Sequence, residues 1–388
     1  MKPRLLVLTR LFWPEGSGGE LATYLFLRRY LGRYFDVVVV SGTERPAPLG
    51  GCCRYVRWRA LRSRFKPAEW VKAFAAARGI ADLVGWADVV YIPFFSLYPL
   101  APAVKRLNPR AKVVFHVHTN QLISYTSVVF YGVEPGLRGD LMVELYENRN
   151  AARAVVSGML SELRRVYWLA LSYADLVVFV SRRQLELIRR FRLKLPIREA
   201  AVVYNPPPPV AVEKRLPDRP VFMYVGGESY IKGFHILLKA LPSLVRSGIG
   251  VKLFGGYSRT VKHPLVEVYG RVPHEVLMRF HGESWGLLFP SVIEEPLPYA
   301  VVEAALAGTM PLVSRAGGVF EVLRDTPAER FAFRTGDVED LVDKAERLAG
   351  LSRDEVLELS SRVRETVDAR LKSSAEMLPR LLLSLAYG

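Results

Sequence analysis

The chain has 388 residues, of which 50% are hydrophobic and 24% are charged, so it can build two domain cores and is not a disordered protein. The net charge of +16 lies entirely in the first half: residues 1–200 contain 31 Lys and Arg against 15 Asp and Glu, and residues 201–388 contain 23 of each. A one-sided basic surface favours an anionic partner, although a solvated basic face explains the same count.

The cysteines and the apolar segments exclude several classes of protein. Cys52 and Cys53 are adjacent, and adjacent cysteines rarely bridge, so neither a disulfide framework nor a zinc site is indicated. The sequence enters an apolar strand at Leu5 without a secretory h-region. The uncharged stretch 113–133 contains two histidines and two amide side chains, which excludes a membrane span. We therefore expect a cytoplasmic protein without a transmembrane helix.

The first half of the chain alternates predicted strands and helices, as in a parallel sheet with helices on both faces. The predicted elements are strand Leu5–Thr9, helix Glu20–Leu31 and strands Asp36–Val40, Asp88–Ile92, Lys112–His116 and Leu176–Val180. The proline run that follows Asn205 can continue neither a helix nor a strand. The sequence thus predicts an N-terminal Rossmann-like domain over residues 1–204 and a Pro-rich linker over 205–219.

The same alternation starts again after the linker and predicts a second domain over residues 220–388. Its elements are strand Val221–Val225, helix Phe234–Val245, strands Val251–Phe254 and Leu265–Tyr269, helix Pro273–Phe280, strand Trp285–Phe289, helix Tyr299–Leu306 and a last helical stretch, Arg353–Tyr387. The fold class is therefore α/β, with two doubly wound domains.

Two glutamates stand at the place where open α/β sheets bind ligands. Glu295 follows a predicted strand, and Glu303 lies one to two turns into the next helix. Carboxylates accept hydrogen bonds from vicinal hydroxyls, so the pair suits a ribose and a sugar. The spacing alone is more typical of two solvated surface glutamates, and the surrounding motifs favour the ligand-binding interpretation.

Two Gly-rich turns follow the first strand of each predicted domain and suit an anion. Gly18 and Gly19 let backbone amides approach it at a helix N-terminus, although their spacing matches neither a dinucleotide fingerprint nor a P-loop. In the second turn, Lys232 stands just before a helix and is suited to neutralise a diphosphate, with Ser229 as a hydroxyl donor. A tight turn and a surface lysine are the alternatives.

A histidine ends one strand of the first half. His116 and His118 lie on the same strand face, and either one is a candidate for a ligand contact. A strand-end histidine also serves as a structural hydrogen bonder.

Several motifs occur together in one order: Pro290-Ser291, the Glu295 and Glu303 pair, Ala304-Ala305 and the run to Pro311, and Gly317-Gly318 with Glu321. This order resembles the retaining GT-B glycosyltransferases of the "glycosyl transferases group 1" family. The resemblance implies two Rossmann-like domains that face one another across a cleft, with a terminal helix that returns to the first domain.

The resemblance also implies roles. Glu303 binds the ribose hydroxyls, Glu295 holds the donor sugar, and His118 supports the sugar as positive charge develops. The departing diphosphate is stabilised by Lys232 and by backbone amides of two segments. The first segment is Gly18-Gly19, and the second consists of Leu297, Pro298 and Tyr299. The loop with Arg271 and Val272 touches the base through its backbone. These enzymes generally need no catalytic metal and no covalently bound cofactor, and the chain has no D-x-D motif.

The chain departs from the family pattern at one phosphate-binding position. Gly227 stands where the family usually has an Arg, so only one of two clamping cations is present. Arg315, Arg10 or backbone amides are the candidate replacements.

The implied function is retaining, metal-independent transfer of a hexose from a nucleotide-diphosphate sugar to a hydroxyl acceptor. One alternative is a synthase or phosphorylase that acts on a soluble sugar. The other is a non-catalytic basic protein that binds membrane or nucleic acid on the same scaffold.

The basic clusters and a nearby apolar stretch suggest the acceptor. The clusters are Arg54, Arg57, Arg59, Arg62, Arg64 and Lys66, and Arg182, Arg183, Arg189, Arg190, Arg192 and Lys194. Leu122–Tyr131 is apolar, and cations beside apolar side chains are what peripheral membrane binding requires. We therefore expect a lipid-linked or membrane-proximal acceptor, reached at the anionic inner face of the membrane, and do not expect nucleic acid as a partner.

Overall fold

The computed structural model describes residues 1–61, 71, 77–190, 196–257 and 262–388. They form two compact units. The first unit consists of Met1–Ser127, Leu160–Pro206 and Leu371–Gly388, and the second of Val128–Met159 and Pro207–Arg370.

The first unit is built on a seven-stranded parallel sheet of order β3-β2-β1-β4-β5-β6-β7. Its strands are β1 Arg4–Thr9, β2 Asp36–Ser41, β3 Cys53–Arg57, β4 Val89–Ile92, β5 Lys112–Val117, β6 Leu176–Phe179 and β7 Ala200–Val202. Its α-helices are Gly18–Arg29, Ala81–Trp86, Ala101–Leu107, Arg165–Leu171, Arg182–Arg190 and Met377–Tyr387. The five predicted strands are confirmed, whereas β3 and β7 lie at the edges, where half-exposed residues give no continuous apolar run.

The core of the first unit is completed by the last helix of the chain. Leu378 and Leu382 are fully buried in one cluster with Leu5, Phe26 and Val178. Fully burying a leucine contributes about 1.5–3 kcal/mol. The helix Met377–Tyr387 is therefore part of the first unit, although it ends the sequence.

The second unit contains a five-stranded parallel sheet of order β10-β9-β8-β11-β12. Its strands are β8 Val221–Val225, β9 Gly250–Phe254, β10 Val266–Tyr269, β11 Gly286–Phe289 and β12 Met310–Val313. Its α-helices are Leu137–Met142, Ala151–Leu160, Phe234–Arg246, His274–Gly282, Tyr299–Leu306, Val319–Leu323, Val338–Ala349 and Arg353–Ala375, the last of which runs into the first unit at Leu371.

In each sheet the first strand lies beside the fourth. The second and third strands are added on one side of the first strand, and the fourth and later strands are added on its other side. Ligands in open α/β sheets bind at this switch point, outside the carboxyl ends of the strands. The switch lies between β1 and β4 in the first sheet and between β8 and β11 in the second. The predicted fold class, two doubly wound α/β domains, is confirmed.

The expected domain boundary at residue 204 was wrong for residues 128–159, which belong to the second unit. Phe130 forms an antiparallel bridge with Ile293, and the two side chains share a buried apolar cluster with Val143. The local sequence did not indicate this, because the partners are far apart along the chain.

The expected linker 205–219 is packed against the second unit over part of its length. Lys214 Nζ donates to the carbonyls of His281 and Ser284 at 2.6 and 2.5 Å, and Arg215 N donates to Gly282 O at 2.9 Å. A side chain at Gly282 would collide with the Glu213 carbonyl, 2.6 Å from an ideal Cβ. Residues 213–215 thus belong to the second unit.

The stretch Leu122–Tyr131 was expected to present an apolar surface, and this was wrong. Leu122 and Ile123 are at most 1% exposed and Val129 and Phe130 at most 5%. Of the basic clusters, Arg62, Arg64, Lys66, Arg192 and Lys194 lie outside the described residues. Among the helices that the structure describes, none is both long and apolar enough to cross a bilayer.

Candidate functional site

Lys232 and Glu295 meet at the switch point of the second sheet. Lys232 lies in the loop after β8 and Glu295 in the loop after β11, and Nζ is 2.6 Å from Oε1. Ser291 Oγ donates to the same carboxylate oxygen at 3.2 Å. The Glu295 side chain is only 11% exposed, so its charge depends on these two donors.

A glycine makes the close approach of the two loops possible. Gly233 has φ +78°, and an ideal Cβ there would lie 1.8 Å from the Pro290 carbonyl oxygen. Any side chain at this position would push the Lys232 loop away from Pro290 and Ser291. The Gly233 position therefore sets the distance at which Lys232 reaches Glu295.

Two adjacent glutamates after Pro290-Ser291 have different tasks. Glu294 is 2% exposed, and its Oε2 accepts from the Gly317 amide at 2.9 Å. Gly317 has φ +75°, and a Cβ there would lie 2.3 Å from the Glu295 carbonyl oxygen. Glu294 thus holds the Gly317-Gly318 loop against the backbone, while Glu295 faces Lys232.

Glu303 lies in the helix Tyr299–Leu306, which begins directly after Pro298. Its Oε1 is 2.9 Å from Nε2 of His274, a residue the sequence analysis did not select. Burial raises the pKa of Glu303 above 4.5, and the hydrogen bond and charge of His274 partly offset that effect. The only sequence signal for His274 was its place directly after the predicted base-binding loop.

The three other candidates in this region stand at the start of the same helix. Leu297 is 7% exposed, Pro298 is the N-terminal cap in extended conformation, and Tyr299 opens the helix. Backbone amides of a first helical turn have no partner within the helix, so they point toward whatever lies beyond it. This turn is thus a possible contact for an anion only together with Lys232 and Glu295.

Arg271 and Val272 line a cavity of about 360 Å³ at the carboxyl ends of β8, β9 and β10. Most of its other walls are glycine, at positions 226, 227, 255, 256 and 270. Backbone without side chains leaves room for a flat group and exposes amides to it. The cavity thus suits a ligand that is recognised through the main chain.

The geometry at Gly227 disfavours any residue with a side chain, including the Arg that the resemblance led us to expect. Gly227 has φ +59°, and a Cβ there would lie 3.1 Å from both the N and the O of Gly256. Neither named replacement is placed at this cavity: Arg315 lies over the ring of Phe320, and Arg10 lies over that of Phe94 in the first unit.

Ser229 is engaged with a residue that the sequence analysis missed. Its hydroxyl donates to Glu147 Oε1 at 2.7 Å, and the Ile231 amide donates to Glu147 Oε2 at 3.1 Å. Ser229 Oγ also accepts from the Lys232 amide at 3.3 Å. No local pattern pointed to Glu147, because it lies 82 residues before Ser229 in the sequence.

In the first unit, His118 lines a small cavity of about 60 Å³ with Gly19, Ser17 and Glu20. An ideal Cβ on Gly19 would lie 3.2 Å from the His118 Cβ, so glycine allows the helix Gly18–Arg29 to begin close to His118. Glu20 caps this helix by accepting from Ser17 N and Oγ at 2.8 and 2.9 Å.

The structure separates the two histidines of this strand. His116 is fully buried, and its Nδ1 pairs with the Tyr91 hydroxyl at 2.6 Å. Neither ring nitrogen of His118 has a hydrogen-bond partner among the described residues. Burial lowers the pKa of His118 to about 4, so the ring is neutral at pH 7. The polar side chain of Asn205 lies close enough to raise this pKa to a smaller extent, although it does not meet the geometry of a hydrogen bond to the ring.

The candidate residues thus fall into two sets, one in each unit. Gly18, Gly19 and His118 belong to the first, and the residues from Ser229 to Glu303 to the second. Within the described ranges, no group of three or more His, Cys, Asp or Glu side chains is placed to hold a metal ion.

Two curated proteins are similar to parts of this chain. The uncharacterized glycosyltransferase MJ1607 of Methanocaldococcus jannaschii is 27% identical over 119 residues, 28% of this chain and 30% of that protein. The glycogen synthase of Thermodesulfovibrio yellowstonii is 25% identical over 116 residues, 27% of this chain and 23% of that protein. The chain thus matches less than a third of the length of either relative.

Solved structures are similar over nearly the whole chain. A sucrose-phosphate synthase from Thermosynechococcus elongatus has a TM-score of 0.73 at 16% identity, with 99% of both chains covered. Anabaena HepE in complex with UDP and glucose has a TM-score of 0.67 at 16% identity, covering 98% of this chain and all of the other. The catalytic domain of Arabidopsis thaliana starch synthase IV, bound to ADP and acarbose, has a TM-score of 0.69 at 11% identity, with both chains fully covered.

These likenesses establish the fold as that of the GT-B glycosyltransferases. Residues 219–350, which contain Lys232, Glu295 and Glu303, match the family described as Glycosyl transferases group 1. This part of the second unit is thus similar to the glycosyl transferases group 1 family.

Proposed function

We propose that the protein transfers a hexose from a nucleotide-diphosphate sugar to a hydroxyl acceptor with retention of anomeric configuration. The observation that carries the proposal is the pairing of Lys232 with Glu295 at the switch point of the second sheet, with Glu303 in the next helix. A cation for a diphosphate and two carboxylates for hydroxyls are the groups that such a donor requires. The similar HepE complex with UDP and glucose supports this class of donor.

Glu303 is assigned to the ribose. His274 occupies Oε1, which leaves Oε2 to accept from the hydroxyls, and a nearly buried acceptor gains most from a hydroxyl partner. The glycine-walled cavity with Arg271 and Val272 is assigned to the base, which its main chain would contact.

Lys232 is assigned to the leaving diphosphate. As negative charge grows there, the ammonium group is drawn from Glu295, and Glu295 becomes available to the hydroxyls of the sugar. An interaction that strengthens as charge develops lowers the barrier instead of merely tightening binding. Because Gly227 supplies no second cation, amides near Leu297–Tyr299 are assigned the remaining charge.

Retention fits a site in which the departing phosphate takes the proton of the acceptor hydroxyl, so that no separate base is required. His118 is neutral at pH 7, since its pKa lies at about 4. A neutral ring can hydrogen-bond a sugar without repelling positive charge that develops on it. No metal ion has an assigned role in this reaction.

We further propose that the acceptor is lipid-linked or membrane-proximal. The helix Ala151–Leu160 exposes Val155, Val156 and Met159 at 61%, 54% and 79%, and Leu137, which packs beside Gly158, is 56% exposed. We call these four residues the apolar face.

The charges around the apolar face favour an anionic lipid surface as its partner. Arg138 and Arg149 are exposed there, as is one carboxylate, Glu134, while the exposed Arg153 pairs with the buried Glu144 at 3.2 Å. Each cation near an anionic leaflet contributes about 1 kcal/mol of binding free energy. The protein would then attach peripherally to the inner face of the membrane.

A second candidate is a synthase that acts on a soluble sugar. The observation in its favour is the likeness over almost the full chain to a sucrose-phosphate synthase. The two candidates share the donor site and differ only in the acceptor.

The test is calorimetry of the full chain with UDP-, GDP- and ADP-sugars, followed by NMR of the anomeric proton of the product. We expect one donor class to bind and the product to keep the donor's configuration. If no donor binds, the protein is a scaffold without transferase activity, and an inverted product would overturn the retaining mechanism.

A further inference from the structure

Residues 128–159 touch both loops that carry the ion pair of the second unit. This segment interrupts the first unit between β5 and β6, yet it packs with the second. On one side, Tyr131 N donates to Val292 O at 2.9 Å and Glu294 N donates to Val129 O at 2.8 Å. The segment is thus hydrogen-bonded to the residues that immediately precede Glu295.

The other contact is made by Glu147. Its carboxylate accepts from the Ser229 hydroxyl and the Ile231 amide, so both oxygens are used on one turn of the loop after β8. The neighbouring Tyr146 stacks on Tyr230 with ring centroids 4.9 Å apart, and His235 stacks on Tyr230 at 4.0 Å. The turn is therefore held both by residues of this segment and by His235 of the helix that follows it.

Glu147 owes its direction to an irregular backbone. Helix Leu137–Met142 continues into a π-helical turn, Val143–Glu147, in which Asn148 N bonds to Val143 O at 3.4 Å. A π-turn shifts the following side chains around the helix axis and is commonly found at functional sites.

From Glu147 a continuous set of bonds leads to the donor residues. Ser229 Oγ donates to Glu147 and accepts from the Lys232 amide, and Lys232 Nζ binds Glu295. Fixing Ser229 and Ile231 leaves the Lys232 backbone with little freedom to move relative to Glu295. A carboxylate at this place would repel a diphosphate if it contacted one, so holding the turn is the task its geometry fits.

We propose that Glu147 is a positioning residue for the donor: it holds the Ser229–Lys232 turn so that Lys232 reaches the leaving diphosphate. This rests on the proposed function of the Lys232 site. It also assigns a donor-site role to a segment that lies between two strands of the other unit. Ser229 then serves as the link to Glu147 and does not donate to the phosphate.

Three variants of Glu147 separate the length of the side chain from its charge. Glu147→Asp keeps the charge on a shorter side chain, and Glu147→Gln keeps the length without the charge. Glu147→Ala removes both. The matched control is Glu134→Gln, an exposed glutamate of the same segment.

In kinetics with the donor that binds the wild type, we expect Glu147→Ala and Glu147→Asp to raise the donor KM roughly tenfold. Glu147→Gln should raise it less, and acceptor KM and thermal stability should stay near those of the control. Unchanged donor KM in the Ala and Asp variants would overturn the proposal. So would tighter donor binding by Glu147→Gln, because it would mean that the carboxylate acts only by repulsion.

Hydrogen–deuterium exchange of the free protein tests the same role without any donor. We expect the Ile231 amide to exchange at least roughly tenfold faster in Glu147→Ala than in the Glu134→Gln control. Unchanged exchange would overturn the positioning role even if a donor binds. If the Ile231 amide exchanges faster in Glu147→Ala but no donor binds the wild type, Glu147 still holds this turn in place. That result would reject the proposed function and not the contact between Glu147 and the turn.

Discussion

Lys232 and Glu295 form an ion pair whose two members come from the loops after β8 and β11, the strands between which the second sheet changes winding direction. Nζ lies 2.6 Å from Oε1, and the side chains are 33% and 11% exposed. Replacing Lys232 leaves the nearly buried Glu295 carboxylate with only the Ser291 hydroxyl as a donor, so the pair is costly to break from that side. A ligand that brings its own diphosphate and hydroxyls can replace both halves of the interaction.

The first prediction concerns the cation. We expect Lys232→Ala to lower kcat by about 100-fold with a smaller change in donor KM, since the ammonium group acts mainly on charge that develops on the leaving group. Steady-state kinetics measure both constants, and Lys239→Ala, an exposed lysine of the next helix, is the control. A raised KM at unchanged kcat would mean that Lys232 contributes only uniform binding.

The second prediction concerns the ribose. We expect Glu303→Ala to weaken donor binding at least about 100-fold, because it removes the nearly buried carboxylate that the proposed function assigns to the ribose hydroxyls. Calorimetry with the donor that binds the wild type gives the affinity, and circular dichroism verifies the fold. Glu339→Ala, in an exposed position, should bind normally. Equal affinity in both variants would show that Glu303 is not part of the donor site.

The third prediction concerns pH. The pKa of His118 is about 4 in the folded protein, against an ordinary value of 6.5, because burial disfavours the charged ring. Between these values the unfolded chain binds a proton that the folded chain does not, so stability falls as the pH falls. At about 1.4 kcal/mol per pKa unit, this site alone costs about 3 kcal/mol at pH 4.

Denaturant titrations at several pH values measure this cost. We expect His118→Gln to flatten the pH dependence of the free energy of unfolding between pH 6.5 and 4, relative to the wild type. The exposed His263, changed to Gln, should leave that dependence unaltered. An identical slope for wild type and His118→Gln would show that the ring of His118 is not held in the neutral form.

The fourth prediction concerns the family's missing Arg. We expect Gly227→Arg to lower the free energy of unfolding by about 1–3 kcal/mol, because the site has φ +59° and its Cβ would crowd Gly256. Donor affinity should not improve. Gly85→Ala is the control, since Gly85 is exposed, lies in the first unit, and a Cβ there meets nothing within 4 Å. A stable Gly227→Arg variant with tighter donor binding would contradict this explanation.

The fifth prediction concerns the apolar face. We expect the wild type to float with anionic liposomes at low salt and less at high salt, and a Val156→Glu, Met159→Glu double variant to stay in solution. Leu238→Glu, which alters an exposed apolar residue elsewhere in the second unit, should float normally. If the wild type ignores anionic liposomes at low salt, the soluble-sugar candidate is favoured.

The sequence by itself determined five of the seven strands of the first sheet, four of the five strands of the second, and the main candidates in the second unit. Strands such as Val221–Val225 and Gly286–Phe289 are covered on both faces, so almost every residue in them is apolar. Such a continuous apolar run can be recognised in the sequence. Lys232 and Glu295 were found because each lies in the turn between such a strand and the next helix. The edge strand Cys53–Arg57 was missed because its burial is only partial.

Only the tertiary structure decided which neighbouring residues do which task. Glu294 and Glu295 are chemically alike and adjacent, and the turn between β11 and the next helix directs one to Gly317 and the other to Lys232. Glu147 and His274 became partners of Ser229 and Glu303 through hydrogen bonds between residues far apart in the chain. Such contacts follow from packing and leave no local pattern, which is why periodicity and motif spacing did not indicate them.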